Sequence, residues 1–590
     1  MKKTININVP VLARVEGEGA LELSIHDNQI THLQLKIYEP PRFFEKFLQG
    51  RNYYDVLDAV ARICGICPVA YQMSATHAIE SVFNIKSTPW LRAMRRLFYC
   101  GEWLQSHSLH IHMLAAPDYL GYNSVIEMSA EYMDEVRRGF KLQALGNDLV
   151  SLFGARSVHP VGVKIGGFTK APAQAEIDEL LRRVIDAKQD AIDLIHWVDA
   201  MDLPEDNQTF TSVALHRTDE YPFNEGRIIS DNGLNIDISD YKKHFEESQV
   251  AHSTALHSKL DGKPYLVGPL ARLNLNKNQL PDEVKNLMQE LNTQFPSKNM
   301  FHSIVARAIE IYYTLVEAEH LLTDYKTTDE PCLSFEPQAG TGYGCSEAPR
   351  GILWHEYEID DNGIVIKADI IPPTSQNQLR IEEDLKQSLI SFGLDKSKEE
   401  LQLHAEKVIR NYDPCISCAT HFLDLKLIRN SHEELAGKTA PKNTYFNNIE
   451  LASTAILGIG SYEDGDNAGL NLIDSLNNDE LFKNLKKKGL SLLKLERPGM
   501  RLNEHIKKYK YVIIVDTIKS ANDTTELTLI NINQLDNPGN RISSHELGVI
   551  DSLTWLSSAG ELPNNITLLG IPSGTALEAV KKQILKFIQT

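Results

Sequence analysis

Two Cys-x-x-Cys pairs stand far apart in the chain, Cys64 and Cys67 in Arg62-Ile-Cys-Gly-Ile-Cys, and Cys415 and Cys418 in Asp413-Pro-Cys-Ile-Ser-Cys. Thiolates three residues apart can face one soft metal ion, and a second pair brought in from far along the chain completes a four-sulfur site. Such a site exists only after the intervening segment has folded. A structural zinc and a redox metal stand level on spacing alone, although zinc knuckles usually close short local loops. The groups beside the cysteines, Arg62, Asp413, His421 and the segment Arg14-Val-Glu16-Gly, are ones that a structural zinc would not need. They are suited to handling protons and anionic ligands.

The chain has 590 residues, 42% of them hydrophobic, enough for a large core and more than one domain. Its net charge of -19 argues against nonspecific nucleic-acid binding, which needs a basic surface. No apolar run is long enough to span a bilayer, and Met1-Lys-Lys-Thr leads into strand-like alternation rather than a signal-peptide core, so a cytoplasmic protein is expected. Seven cysteines, four of them in the two pairs, fit metal chemistry in a reducing compartment better than a disulfide framework. Cys100, Cys332 and Cys345 read as buried free thiols.

Thr4 to about Lys36 has the alternation of short strands. Leu91–Leu114, Ala175–Met201 and His302–Leu322 carry apolar residues at helical spacing, and a further helix is expected from Pro68. Residues 1–425 thus read as a mainly α domain with a small N-terminal β region. Residues 426–452 are polar and aperiodic, as in a linker. From 453 to 590, candidate strands Thr454–Leu457, Tyr511–Val515, Leu527–Ile532 and Ile566–Ile571 alternate with helical patterns at Gly469–Leu476, Val549–Ala559 and Thr575–Ile588. That order predicts a small α/β domain with a largely parallel sheet.

At the cysteine pairs the chain resembles the large subunit of nickel-iron hydrogenases. The resemblance runs in order through Arg14-Val-Glu-Gly, Arg42-Phe-Phe-Glu45, Arg62-Ile-Cys-Gly-Ile-Cys, Pro117-Asp-Tyr, Glu347-Ala-Pro-Arg-Gly, Pro373-Thr-Ser-Gln-Asn and Asp413-Pro-Cys-Ile-Ser-Cys-Ala-Thr-His421. Gly154-Ala-Arg-Ser-Val-His159, Gly166-Gly-Phe168 and the stretch His257 to Arg272 are most similar to the NAD(P)-linked and sulfhydrogenase-type α subunits.

The resemblance implies reversible heterolytic splitting of dihydrogen at nickel bound by all four thiolates. Cys64 and Cys415 would be terminal, and Cys67 and Cys418 would bridge to an iron bearing CO and two cyanides. Glu16 matches the proton-gate carboxylate beside Cys415, for which a buried site and a raised pKa are expected. Arg350 would point its cation at the metal pocket, held or balanced by Asp118 and Asp413. Thr374 would donate to a cyanide, with Pro349 in the same cofactor pocket, and Glu45 and His421 fall where the family binds magnesium. One departure is Tyr71, which stands where the family usually has a histidine four residues after Cys67.

Three isolated cysteines cannot build a chain of iron-sulfur clusters, so a partner subunit must carry the electrons away, and the resemblance implies an iron-sulfur small subunit. Gly458-Ile-Gly460 follows a strand, but Glu463 stands where a dinucleotide fingerprint wants glycine. Flavin and NAD(P) are therefore expected on a diaphorase partner. A sulfur or polysulfide acceptor is the direct alternative. A non-catalytic subunit like that of respiratory complex I is the structural one, and that family lacks the four cysteines.

Beyond about residue 453 the chain resembles the hydrogenase maturation endopeptidase, through Leu457-Gly-Ile-Gly-Ser-Tyr-Glu-Asp-Gly-Asp-Asn-Ala, Val512-Ile-Ile-Val-Asp516 and Ser544-His545-Glu-Leu-Gly. That family cuts the short tail of the large subunit just after the residue matching His421. Asp516 and His545 fit its nickel-sensing ligands, whereas the first-loop ligand falls on Asn467, with Asp466 beside it, and the early asparagine on Ser461. A neutral amide is a poorer ligand for a divalent cation. An active protease fused in cis, a degenerate copy that chaperones the site, and a plain interaction module are the three readings.

Overall fold

Alternation in the first residues builds an antiparallel sheet. Thr4–Val9 turns Ile5, Ile7 and Val9 inward and pairs with Gly19–His26, which pairs in turn with Gln29–Ile37. Asp27 and Asn28 close the second hairpin with positive φ at both positions, as a two-residue type I′ turn requires. The structure, a computed structural model, describes residues 4–420, 451–460, 468–496, 502–506, 508–518, 528–530, 565–572 and 577–588. Two compact units divide the chain, Met1–Leu427 and Ile428–Thr590.

Long helices dominate the first unit. Pro89–Leu109 starts with Thr88 accepting from the Leu91 N–H and proline at the first turn, two features that fix a helix start. It packs against Met133–Gly154 and Ser303–Thr323, and the latter also packs against Gln174–Asp199. Gly101 and Gly146 let the first two helices approach closely: a Cβ on Gly101 would lie 2.9 Å from the Gly146 carbonyl oxygen, and one on Gly146 would lie 2.6 Å from the Gln105 nitrogen.

The run expected as one helix to Leu114 is not uniform. The α-helix ends at Leu109 and continues as a π-helix over His110–Ala115. Pro117 has no N–H to give the preceding turn, and the Leu114 carbonyl in that turn accepts from Arg14 Nη1 at 2.8 Å. A second difference is an antiparallel sheet of Gly340–Ala348, Gly351–Ile359 and Val365–Ile371, inside the region read as helical. The first hairpin of that sheet turns at Pro349-Arg350. Its middle strand is buried on both faces, so alternation is lost.

The second unit has a five-stranded sheet in the order Ser491–Glu496, Thr454–Gly460, Tyr511–Ile518, Asn565–Pro572, Thr528–Ile530. The first four are parallel and the short edge strand is antiparallel. Ile456, Ile513 and Leu569 pack with helices Ala468–Asn478 and Leu577–Ile588 in one cluster. Ala455, Leu457 and Ile514 pack with Leu502 and Ile506 in another. Ser491–Glu496 and the helix Glu480–Lys487, capped by Asp479, were not foreseen, and the Val549–Ala559 pattern lies outside the described residues. Among the described residues no helix is long and apolar enough to cross a membrane.

Gly146→Ala is expected to lower stability. Alanine gains about 1 kcal/mol of helix propensity, but overpacking at a helix crossing costs roughly 1–3 kcal/mol. A melting curve checks this, and an unchanged or raised midpoint would show that the crossing can relax.

Candidate metal centre

Each cysteine pair sits at a helix start. Cys67 immediately precedes Pro68–Val82, with Pro68 at its first position, and Cys415 immediately precedes the short helix Ile416–Ala419. Asp413, two residues earlier, takes a left-handed φ of 54°, which turns the chain into the second pair. The four thiols converge. Cys64 and Cys415 lie 3.3 Å apart, Cys415 and Cys418 3.0 Å, and Cys67 and Cys418 3.4 Å, with each residue at most 3% exposed.

Crowding sets the proton inventory of this cluster. Hydrogen bonds with Cys418, Cys64 and Cys67, together with burial, push the Cys415 thiol well up, while hydrogen bonds from Cys415, Cys418 and Cys67 bring Cys64 well down. Four soft donors within 4.8 Å of one another fit a soft transition metal, whose cation lets all four ionise.

Glu16 reaches the site as expected. Its Oε2 accepts from Cys415 Sγ at 3.0 Å and from the Ser417 N–H at 3.1 Å, and its carbonyl accepts the Ile416 N–H at 3.0 Å in a β-bridge to Cys415. Glu16 is half-buried rather than buried, in a run from Arg14 to Gly17 that is half-buried throughout.

Arg350 is buried in the turn after Pro349, with Nε donating to the Asp413 carbonyl at 2.6 Å and Nη2 to its Oδ1 at 3.0 Å. Burial opposes its charge, yet Asp413 first and then the nearby sulfurs of Cys415, Cys67 and Cys64 hold its pKa above the ordinary range. Gly268, at φ 116°, backs this turn, where a Cβ would stand 2.9 Å from the Arg350 carbonyl. Thr374, at the start of helix Pro373–Phe392, accepts the Cys415 N–H at 3.2 Å through Oγ1.

Asp118 does not face Arg350. Its carboxylate pairs with Arg14 and, at 2.6 and 2.9 Å, with Nε and Nη2 of Arg410, so it ties the Glu16 segment to the chain entering the second cysteine pair. Arg42, quoted for its motif but given no role, acts similarly: it donates to the carbonyls of Ile63 and Ser417, one beside each cysteine pair. Glu45 Oε1 accepts the Ile370 N–H at 2.6 Å, and burial, then Asp369 and Glu247, push its carboxyl up to about 9. His421, Asp466 and His545 lie outside the described residues, as does the side chain of Asp516, whose backbone pairs with Gly570. Cys100 and Cys345 are buried, but Cys332 is only half-buried.

Sequence reasoning missed the buried charges that brace the site. Arg272 is fully buried; its Nε and Nη2 each lie 2.8 Å from a Glu310 oxygen, and its Nη1 lies 2.7 Å from Glu347 Oε2 and 3.0 Å from the Ala348 carbonyl. It thereby anchors the strand end that carries Pro349 and Arg350. Burial alone would raise the Glu310 carboxyl, but Arg272 and His107 bring it down to about 2. Glu102 is also buried and accepts the Val69 and Ala70 N–H groups at 2.6 and 3.1 Å, capping the helix after Cys67. Tyr71 is fully buried, and burial followed by the charges of Cys418 and Cys67 pushes its phenol well up. The charged letters inside otherwise apolar helical runs were the available signal.

Residues 42–139 and 230–421 match the family model described as nickel-dependent hydrogenase, and residues 479–589 match that described as hydrogenase maturation protease. The chain is 31% identical over 421 residues to the sulfhydrogenase 2 subunit alpha of Pyrococcus furiosus, covering 71% of this chain and 100% of that one. It is 28% identical over 464 residues to the NAD-reducing hydrogenase HoxS subunit beta of Cupriavidus necator, covering 70% and 94%. A solved structure of an NAD+-reducing [NiFe]-hydrogenase in the H2-reduced state superposes with a TM-score of 0.64 at 27% identity, covering 71% of this chain and 99% of that one. The chain belongs to the nickel-dependent hydrogenase family. It is a catalytic large subunit of the nickel-iron type, carrying a maturation protease domain at its C-terminal end.

Glu310→Gln should leave Arg272 undercompensated and cost on the order of 3 kcal/mol at neutral pH. The lowered carboxyl contributes stability that is fully present above its unfolded value of about 4.3 and is lost as the pH falls toward about 2. Denaturation midpoints of the two proteins should therefore converge with acidification below pH ~4.3. A gap that is constant with pH would remove the charge of Glu310 from the account.

Proposed function

We propose that the four thiolates would hold nickel and iron, Cys64 and Cys415 serving nickel alone and Cys67 and Cys418 serving both metals, with the iron carrying CO and two cyanides. The convergence of four buried thiols on Glu16 and Arg350 is the observation that carries this reading. When bound, the metal pair supplies the Lewis acidity and electron acceptance for heterolytic dihydrogen cleavage. The chain's own groups then manage the proton and the charge.

Cys415 Sγ holds the proton, and Glu16 Oε2, 3.0 Å away, takes it and passes it outward. The half-exposed position of Glu16 suits the outward step. Asp413 fixes the planar guanidinium of Arg350 in the pocket, where a second base or a cation beside a developing charge is available. Thr374 accepts the Cys415 N–H and so keeps its own hydroxyl proton for a cyanide, with Pro349 forming a donor-free wall nearby. Asp118 serves by holding Arg14 and Arg410. Glu45, with His421, takes a magnesium ion, which relieves the crowding of Glu45 against Asp369 and Glu247.

Electrons pass to an iron-sulfur small subunit and on to flavin and NAD(P) in a diaphorase partner, in the cytoplasm. The NAD-reducing relative supports that acceptor. The sulfhydrogenase relative supports sulfur or polysulfide as the alternative. Residues 1–425 form the catalytic domain and 426–452 the linker. Residues 453–590 form a protease-derived domain whose peptidase action is weakened, a reading supported by Asn467 and Ser461 at the first loop, upstream of the family match at 479.

Paired substitutions test the proton route. Cys415→Ser should abolish dihydrogen turnover, whereas Glu16→Gln should retain nickel and iron but lose hydrogen-deuterium exchange by 100-fold or more, in the ~10²–10⁴ range of a positioned acid-base group. Unchanged exchange in Glu16→Gln would remove that carboxylate from the mechanism. The tail is tested by intact mass. A chain produced without any separate maturation protease should keep all 590 residues, and a product ending at His421 would show an active cis protease.

A further inference from the structure

Away from the cysteines, His252, His257 and Glu382 bring two imidazoles and a carboxylate together, with one donor atom from each lying within 4.8 Å of the others. They come from separate pieces of the fold. His252 lies in the loop before the strand His257–Leu260, His257 opens that strand, and Glu382 projects from helix Pro373–Phe392. Glu382 is already oriented: its Oε1 accepts the Leu35 N–H from the N-terminal sheet at 2.9 Å and lies 2.9 Å from His252 Nε2. His257 is 3% exposed, and its Nε2 is buried with no hydrogen-bond partner among the described residues. The two imidazole rings meet edge to face, 5.6 Å between centroids.

We propose that His252, His257 and Glu382 form a second metal site, taking a single divalent transition ion of the zinc type. Two histidines and one carboxylate are a donor set that zinc accepts, and at bond lengths near 2.0–2.1 Å the donors stand about 3.3 Å apart, within small side-chain adjustments of the present spacing. The ion displaces the proton between His252 and Glu382 and gives the stranded imidazole nitrogen of His257 an electron-pair acceptor. Glu382 also lines a surface cleft of ≈ 590 Å³ together with Thr31, Leu33 and Lys386. The site joins three elements: the N-terminal sheet through Leu35, the His252 loop, and the helix whose first turn holds Thr374 against Cys415. Bound metal is thus a clamp that fixes this helix, remote from the thiolate chemistry.

A plain ion pair between His252 and Glu382 with a core histidine beside it makes the opposite prediction. The assembled hydrogenase complex is incubated with Zn²⁺ alone, desalted, and its zinc, nickel and iron measured together with its melting midpoint. Wild type should retain one more zinc per large subunit than either His252→Ala or Glu382→Gln, and should melt higher with zinc than without, while both variants keep their nickel and iron. Loss of a direct ligand should weaken zinc binding by more than the roughly 10–100-fold typical of an outer-shell partner. Glu382→Gln keeps an acceptor for Leu35 and so guards against a folding failure. Equal zinc retention in wild type and both variants, or no zinc-dependent shift in wild type, overturns the site; nickel and iron contents report separately on the cysteine centre.

Discussion

Everything at the centre depends on joining two short loops that are distant in sequence, and the joining is done by hydrogen bonds and ion pairs rather than by the cysteines themselves. Four buried thiols held close together are mutually repulsive once ionised, so in the absence of a cation the pocket must be enforced from outside. Arg42 clips the carbonyl before Cys64 to the carbonyl of Ser417. Asp118 holds Arg14 and Arg410, and between them the Glu16 backbone pairs with the second cysteine segment. These contacts place a carboxylate beside one particular sulfur, Cys415. Preorganisation of that kind is what lets a proton transfer occur without a prior rearrangement.

A second shell of buried charge sets the other wall. Arg272, Glu310, Glu347 and His107 lie in the core with almost no exposure, an arrangement that is expensive unless every partner is present. Its product is rigidity at Ala348-Pro349-Arg350, the turn that delivers a cation to the pocket. Cost in desolvation is thus spent where position matters most. The close approach of Gly268 to that turn belongs to the same construction.

The cysteine pairs, Glu16, Arg350 and Thr374 were legible because short motifs carry their chemistry in local order. The helices with clean periodicity, and the parallel strands beginning at Thr454 and Tyr511, were legible for the reason that their burial is one-sided or uniformly apolar. The sheet of Gly340–Ile371 was not, since Gly342 and Gly344 interrupt its first strand and its second is buried on both faces. Asp118 was misassigned because a motif gives the presence of a carboxylate but not which of several arginines it meets. The bracing role of Arg272 depends on partners 38 and 75 residues away, which a charged letter in an apolar run hints at but does not name.

Fusing a maturation-protease domain to the subunit places a relative of the processing enzyme on the same chain as the catalytic unit. Its value depends on whether the thiolate pocket is filled with the nickel-iron centre. Infrared spectroscopy of the anaerobically purified, assembled complex asks this most directly, because CO and cyanide bound to iron absorb where neither protein nor a zinc tetrathiolate does. Metal-bound CO and cyanide bands are expected, and they should disappear in Cys418→Ser, which removes a thiolate assigned to the iron. A fully assembled complex that contains metal in the four-cysteine site but shows no such bands would contradict the nickel-iron assignment.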